Sequence, residues 1–289
     1  MRLYLLLIRT NHWYKNLIIL IPLVASANIF NFNLLPEVIL SIFSFSLFAS
    51  SGYVVNDIFD YSKDSNHPIK KNRPIASKKI LIPRARIIAV VLFLIASLLS
   101  LFLSVNFFII CLLYYLTSFF YSFVLKNIKF MDIVILTSFY ILRILAGSIA
   151  FNIIPSLWLI SFSSVFFLSL SLYKRSIEYK IISNDELNKY SYRPYSIGYQ
   201  NIFRYIGVAL SIVSIILLFL YLLIGINSIL YTNKAYLYLS IPLFIIWKIY
   251  IWFYKYNNIQ SDDLVDILLN DRFCCLIYIL TFVIFIYSL

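Results

Sequence analysis

The sequence predicts an all-α integral membrane protein, a bundle of nine transmembrane helices, and three observations carry that prediction. Of 289 residues, 62% are hydrophobic and only 12% are charged, with a mean hydropathy of +0.91. The apolar residues are gathered into runs close to the roughly 20 that one bilayer crossing requires. The cations alternate between the intervening loops as a membrane orientation signal does.

Taken in order, the expected spans are 12–30, 37–57, 85–104, 106–125, 130–151, 155–173, 201–226, 236–254 and 271–289. The first has a polar start, Asn11, His12, Trp13, Lys15 and Asn16, and Pro22 kinks it. It is retained because the charge pattern needs it. Arg2, Arg9 and Lys15 precede span 1, and eight Lys and Arg residues from Lys63 to Arg86 follow span 2. Lys126 and Lys129 follow span 4, and a run from Lys174 to Arg204 follows span 6. The loops after spans 1, 3 and 5 carry no Lys or Arg, and the loop after span 7 carries Lys234. By the positive-inside rule the N-terminus is cytoplasmic, and an odd number of spans puts Leu289 outside.

The formal net charge of +12 therefore reads as topology and attraction to anionic lipid heads, with no nucleic acid as partner. Cys111, Cys274 and Cys275 lie in or beside apolar spans without metal-ligand spacing and read as packing residues. The six apolar residues between Arg2 and Arg9 do not resemble a cleaved signal. No linker or composition shift divides the chain, so one membrane-embedded domain over 1–289 is expected. Its cytoplasmic loops, about 58–84 and 174–200, form the active-site face. Oligomeric state, including a homo-oligomer, leaves no readable mark.

Asn56, Asp57, Asp60 and Asp64 form an N-D-x-x-D-x-x-x-D string where span 2 ends. Steps of three and four residues put the carboxylates on one helical face, and three like charges so placed call for a cation. Lys70 and Arg73 follow closely. Carboxylates that hold a divalent ion beside cations that hold phosphate oxygens are the parts of a diphosphate site. Mg2+ is the hard, oxygen-seeking choice, with Mn2+ as its substitute. Arg143 lies well inside span 5, where a charge faces the bundle interior and marks a site or a structural pair. Lys174, Arg175 and Glu178 have the spacing of an ordinary helix charge pair as well as that of an anion site. Lys78, Lys79, Arg84 and Arg86 read as orientation residues, and His12 and His67 as hydrogen-bonding groups.

The Asp string at this place in a nine-span pattern resembles the UbiA-type superfamily of intramembrane transferases. The flanking residues are similar to its polyprenyl-phosphate phosphoribosyltransferase branch. They are Trp13-Tyr14-Lys15-Asn16, His67-Pro68-x-Lys70-x-x-Arg73-Pro74-Ile75-Ala76, Leu142-Arg143-x-x-Ala146-Gly147 and Asp271-Arg272. Prenylating members carry a second Asp-rich motif after helix 6. This chain instead reads Lys174-Arg175-Ser176-Ile177-Glu178, with Asp185-Glu186 beyond.

The resemblance implies transfer of the 5-phosphoribosyl group from phosphoribosyl diphosphate to a polyprenyl phosphate, with Mg2+, at the cytoplasmic face of the inner (plasma) membrane. In that reading Asp57, Asp60 and Asp64 are catalytic, and with Asn56 they hold metal. Lys15, Asn16, Asn56, Lys70, Arg73, Arg143, Lys174, Arg175 and Glu178 bind phosphate or diphosphate. The alternative is prenyl transfer from an isoprenoid diphosphate to an aromatic or other small acceptor. An ion-coupled transporter is the reading from another class, disfavoured because the acids cluster at one membrane face and no inverted halves are visible. A lipid-binding scaffold is disfavoured by the intact Asp string.

Overall fold

The computed structural model describes residues 2–66, 70–184, 195, 198–225, 231, 233–258 and 271–289. The chain packs as two compact units, Met1–Pro155 and Ser156–Leu289.

The first unit opens with α1 (Arg2–Leu7), an eleven-residue 3-10 helix (Thr10–Leu20) and α2 (Ile21–Ala25). Then come α3 (Leu35–Phe59), the short α4 (Tyr61–Ser65), α5 (Ile82–Leu103), α6 (Val105–Phe123) and α7 (Met131–Ala150). Pro lies in the first turns of α3 and α5, where no intrahelical N–H is needed. Ser104 caps α6 by accepting the Phe107 N–H at 3.0 Å. Asp132 sits in the first turn of α7, where the helix dipole favours an acid.

α3 is the central helix, packed on α5, α6 and α7 around Phe45, Phe48, Phe107, Cys111, Tyr114 and Leu142. Two of its serines bind neighbouring segments. Ser51 Oγ donates to the Ala89 carbonyl (2.8 Å) and Ser50 Oγ to the Ile8 carbonyl (2.7 Å). Hydroxyls of this kind join helices where no water is at hand.

The second unit contains α8 (Leu157–Asn184), α9 (Tyr199–Leu220), α10 (Lys234–Tyr238), α11 (Ser240–Ile249) and α12 (Arg272–Ser288). α9 and α11 each run on into a π-helical turn, Tyr221–Gly225 and Tyr250–Lys255. α8 and α9 meet along small residues: Ser169 Oγ lies 2.9 Å from the Gly207 carbonyl and 2.8 Å from Ser211 Oγ. Trp252 Nε1 donates to the same Ser211 hydroxyl at 2.7 Å.

Among the described residues, seven helices are long and apolar enough to cross a bilayer, and they fall on expected spans 2 to 8. The last helix, Arg272–Ser288, is apolar but has 17 residues. The first expected span differs most. Where one α-helix over 12–30 is expected, the chain makes a 3-10 helix and then a single α-helical segment ending at Ala25. Within the 3-10 helix the buried residues are Asn16 and Ile19, three apart, as a three-residue turn places them on one face, and Pro22 and Leu23 are buried in the α-helical segment that follows.

The loop expected at 174–200 also differs. α8 continues unbroken to Asn184, so Lys174, Arg175 and Glu178 are helical residues. Cationic residues mark where a helix leaves the apolar layer, which is not where the helix ends. Cys111 and Cys274 are buried, and all three cysteines are free thiols.

Gly147 on α7 faces the Ile19 backbone, where a Cβ would collide with the carbonyl oxygen. Gly147→Ala is therefore expected to destabilise the protein by about 1–3 kcal/mol, because backbone cannot yield as a side-chain end can. Thermal unfolding in detergent checks this; an unchanged midpoint would show that the contact is loose.

Candidate functional site

In the first unit the acid string straddles a helix junction. α3 ends at Phe59 and α4 begins at Tyr61, yet Asp60 N–H still bonds the Asn56 carbonyl (2.9 Å) and Asp64 N–H the Asp60 carbonyl (2.8 Å). The helical pitch thus survives the junction. Asp57 and Asp64, seven residues apart, are each 3% exposed.

They meet at one arginine. Arg73 Nη1 lies 2.6 Å from Asp64 Oδ2 and 3.2 Å from Asp57 Oδ1. Arg9 adds a second guanidinium, its Nη2 2.5 Å from Asp57 Oδ1, and stacks over Tyr53. Asp60 turns elsewhere, to Lys126 Nζ at 2.5 Å. The single face expected for three acids is thus divided. Like charges at this spacing repel, and cations from the N-terminal segment, the loop before α5 and the α6–α7 connection separate them. Among the described residues, no three His, Cys, Asp or Glu side chains gather as a metal-ligand set.

The donor chemistry nevertheless suits a hard cation. Two carboxylate oxygens already converge on one positively charged nitrogen, and Asn56, next to Asp57 in the chain, is half-buried. Burial pushes the Asp64 carboxyl above the usual carboxylate range, while Arg73 and Lys70 pull it back. Lys70, in the 3-10 turn Lys70–Asn72, therefore belongs to this neighbourhood. His67 lies outside the described residues.

Two expected site residues meet deeper in the same unit. Arg143 is 4% exposed and donates from Nε to Asn16 Oδ1 (2.9 Å), from Nη1 to the Phe139 carbonyl (2.7 Å) and from Nη2 to Tyr114 OH (3.0 Å). Its guanidinium also lies over the rings of Tyr114 and Phe45. Asn16 in turn donates to Ser46 Oγ (2.8 Å). These partners are neutral oxygens and ring faces; none is an acid. Lys15 lies over the Tyr14 ring at 5.9 Å from its centre.

In the second unit, Arg175 is 1% exposed and pairs with Glu178 one turn on, which is the ordinary helix pairing. Lys174 is half-buried beside them. Asp185 and Glu186 lie outside the described residues.

Asp271 caps α12. Its Oδ1 accepts the N–H groups of Phe273 and Cys274 at 3.0 Å each, and its Oδ2 takes Lys255 Nζ (2.5 Å) and Tyr250 OH (3.1 Å). Burial raises the Asp271 carboxyl pKa, but Lys255, the Cys274 N–H and Tyr250 outweigh it and hold it below the usual range. Asp271→Asn keeps an oxygen that can cap α12 but loses the charge facing Lys255, and is expected to cost up to about 1 kcal/mol. A depressed folded pKa means this contribution is complete above the unfolded value near about 4 and fades as pH falls through the folded one. Acidification should therefore lower the thermal midpoint of the wild type more than that of the variant. Parallel pH curves would refute the cap's ionic part.

Sequence reasoning missed Arg9 and Lys126, which pair with acids 48 and 66 residues away. It also missed Lys248, 3% exposed on α11, although a lone lysine in an apolar run is a readable signal.

The family description "UbiA prenyltransferase family" matches residues 17–288. The chain is 29% identical to the uncharacterised protein y4nM of Sinorhizobium fredii, over 92% of its own length and 52% of that protein. It is 32% identical to decaprenyl-phosphate phosphoribosyltransferase of Mycobacterium tuberculosis over 55% of each chain. It thus spans about half the length of the curated relatives it matches. In structure it is similar to a UbiA homolog from Archaeoglobus fulgidus bound to GPP and Mg2+, with a TM-score of 0.71 and 15% identity, covering 99% of this chain and 98% of that one.

Proposed function

The chain belongs to the UbiA prenyltransferase family, and from that premise we propose that it transfers the 5-phosphoribosyl group of phosphoribosyl diphosphate to a polyprenyl phosphate, releasing diphosphate. The observation that carries the choice of donor is the Lys174, Arg175 and Glu178 stretch of α8. Its one acid is paired with Arg175, and Lys174 adds a further cation. A stretch of that net charge suits an additional phosphate better than a second metal. The 32% identity to a decaprenyl-phosphate phosphoribosyltransferase points the same way.

In this reading Asn56, Asp57, Asp60 and Asp64 would hold Mg2+, with Mn2+ as substitute. When bound, the ion supplies charge neutralisation for the departing diphosphate. Arg9, Lys70 and Arg73 stand beside these acids, and Arg73 bridges two of them. They would move from carboxylates to phosphate oxygens when the donor arrives, keeping each guanidinium paired. Asn16 and Arg143 fix the N-terminal segment against α6 and α7 below the acids. The lipid tail would lie among the apolar helices. The ribose carbon and the attacking phosphate oxygen then meet by positioning, with no side-chain nucleophile.

We place the acids on the cytoplasmic face of the inner membrane, with nine crossings, the N-terminus inside and Leu289 outside. A reporter fused after Leu289 that is active only in the cytoplasm would overturn that topology. For the reaction, purified protein is given Mg2+, a polyprenyl phosphate and labelled phosphoribosyl diphosphate, and labelled lipid is the expected product. Consumption of an isoprenoid diphosphate with no labelled lipid would overturn the donor. The prenyl reading keeps its place because the Archaeoglobus fulgidus neighbour is a GPP complex.

A further inference from the structure

Lys248 has no part in the proposed chemistry, and its surroundings give it no obvious structural one. It lies on α11 inside the apolar span Ala235–Lys255, seven residues before the end of that span, which is about 10 Å at helical rise. It is 3% exposed, and among the described residues its Nζ has no hydrogen-bond partner. A buried ammonium without an acceptor is costly, and within a membrane span such groups face an interior path or a partner. The acid at the cytoplasmic-side end of the neighbouring α12, Asp271, is already committed to Lys255, Tyr250 and two backbone N–H groups.

What surrounds Lys248 is aromatic. Nζ lies 4.3 Å from the centre of the Phe166 ring, 5.4 Å from Trp247 and 5.5 Å from Phe244. Ring faces soften the charge, at about 0.5–2 kcal/mol each, but do not replace an oxygen acceptor for its three N–H donors. The rings continue as a row. Phe162 stacks on Phe166 at 5.6 Å and 23°, Phe166 on Trp247 at 5.7 Å and 14°, and Phe166 on Phe244 at 5.7 Å and 26°. Phe162, Phe166 and Phe244 are only half-buried, so the row has an open side. Directly after Lys248 the helix loosens into the π turn Tyr250–Lys255, a form frequent at functional sites.

A hydrocarbon wall of stacked rings that ends at an unpaired cation has the chemistry of a receptor for a single-chain anionic lipid. We propose that Lys248 binds the phosphate of a prenyl-chain lipid whose tail lies along Phe162, Phe166 and Phe244. The prenyl assignment rests on the proposed acceptor; the binding of a lipid phosphate by Lys248 does not.

The test uses the full chain in detergent, with farnesyl phosphate, farnesol and phosphatidylglycerol as probes, and reads dissociation constants without any donor. Lys248→Met keeps the length and apolar contacts of the stem and removes the charge. It is expected to weaken farnesyl phosphate binding about tenfold or more, the range of a charge-assisted hydrogen bond, and to leave farnesol binding unchanged. Lys248→Arg should retain most of the phosphate affinity. Equal loss for farnesol and farnesyl phosphate, or an undiminished phosphate preference in Lys248→Met, would overturn the proposal. Phosphatidylglycerol binding as tightly with the same dependence on Lys248 would overturn the prenyl assignment. Failure of labelled phosphoribosyl transfer beside an intact Lys248 effect would remove the donor reading alone.

Discussion

Asp64→Asn is expected to lower turnover by at least about a hundredfold, the usual cost of one electrostatic group at a reacting centre, in a protein that still folds. Two features of the structure separate the effects. Asp64 is 3% exposed and its carboxyl pKa is raised, first by burial, so the fold already disfavours its charge. An uncharged isostere removes that burden. Arg73 is not stranded either, because its Nη1 keeps Asp57 Oδ1 at 3.2 Å. Initial rates with phosphoribosyl diphosphate, set beside the thermal midpoint in detergent, provide the check. A rate within twofold of wild type at saturating Mg2+ would remove Asp64 from the site. A collapse of the midpoint would make it a folding residue instead.

Arg143→Met is expected to do the reverse, with a loss of about 2–4 kcal/mol of stability. Three hydrogen bonds and three ring contacts end on this guanidinium, and Asn16 Oδ1 and Tyr114 OH lose a buried donor when it goes. The cost stays below that of breaking a buried ion pair, because no carboxylate is left behind. Arg143→Lys should recover only part of it, since one ammonium cannot reach three separated acceptors as a planar fork does. Denaturant titration measures the loss. If stability held while transfer collapsed, Arg143 would be a substrate ligand and not a pin for the N-terminal segment.

The two residues also show what the amino-acid order reveals. Spans 2 to 8 were legible because each is an apolar run of near-bilayer length, and the seven long apolar helices fall on them. The acid string was legible because its residues are neighbours in the chain. Its ion partners were not, because Arg9 and Lys126 reach it from 48 and 66 residues away, and no local pattern encodes such a distance. Arg143 could be recognised as buried, but its partners turned out to be an amide, a hydroxyl and a carbonyl, and the polar groups that can take an arginine are too common to single out. The far end of α8 escaped for another reason: charge reports depth in the membrane, and a helix can leave the membrane without unwinding.

The 3-10 form of the N-terminal segment is not legible in the sequence, because buried Asn16, Ile19 and Leu23 also share one α-helical face. That form has a metric consequence. A 3-10 helix advances about 2.0 Å per residue against 1.5 Å for an α-helix. Thr10–Leu20 (11 residues) followed by Ile21–Ala25 (5 residues) thus extends about 30 Å along the helix axis, a few residues short of the roughly 20 of an all-α crossing. That reach matches the hydrocarbon thickness of a bilayer. Length counted in residues and length measured in ångströms diverge here, and it is the second that a membrane senses.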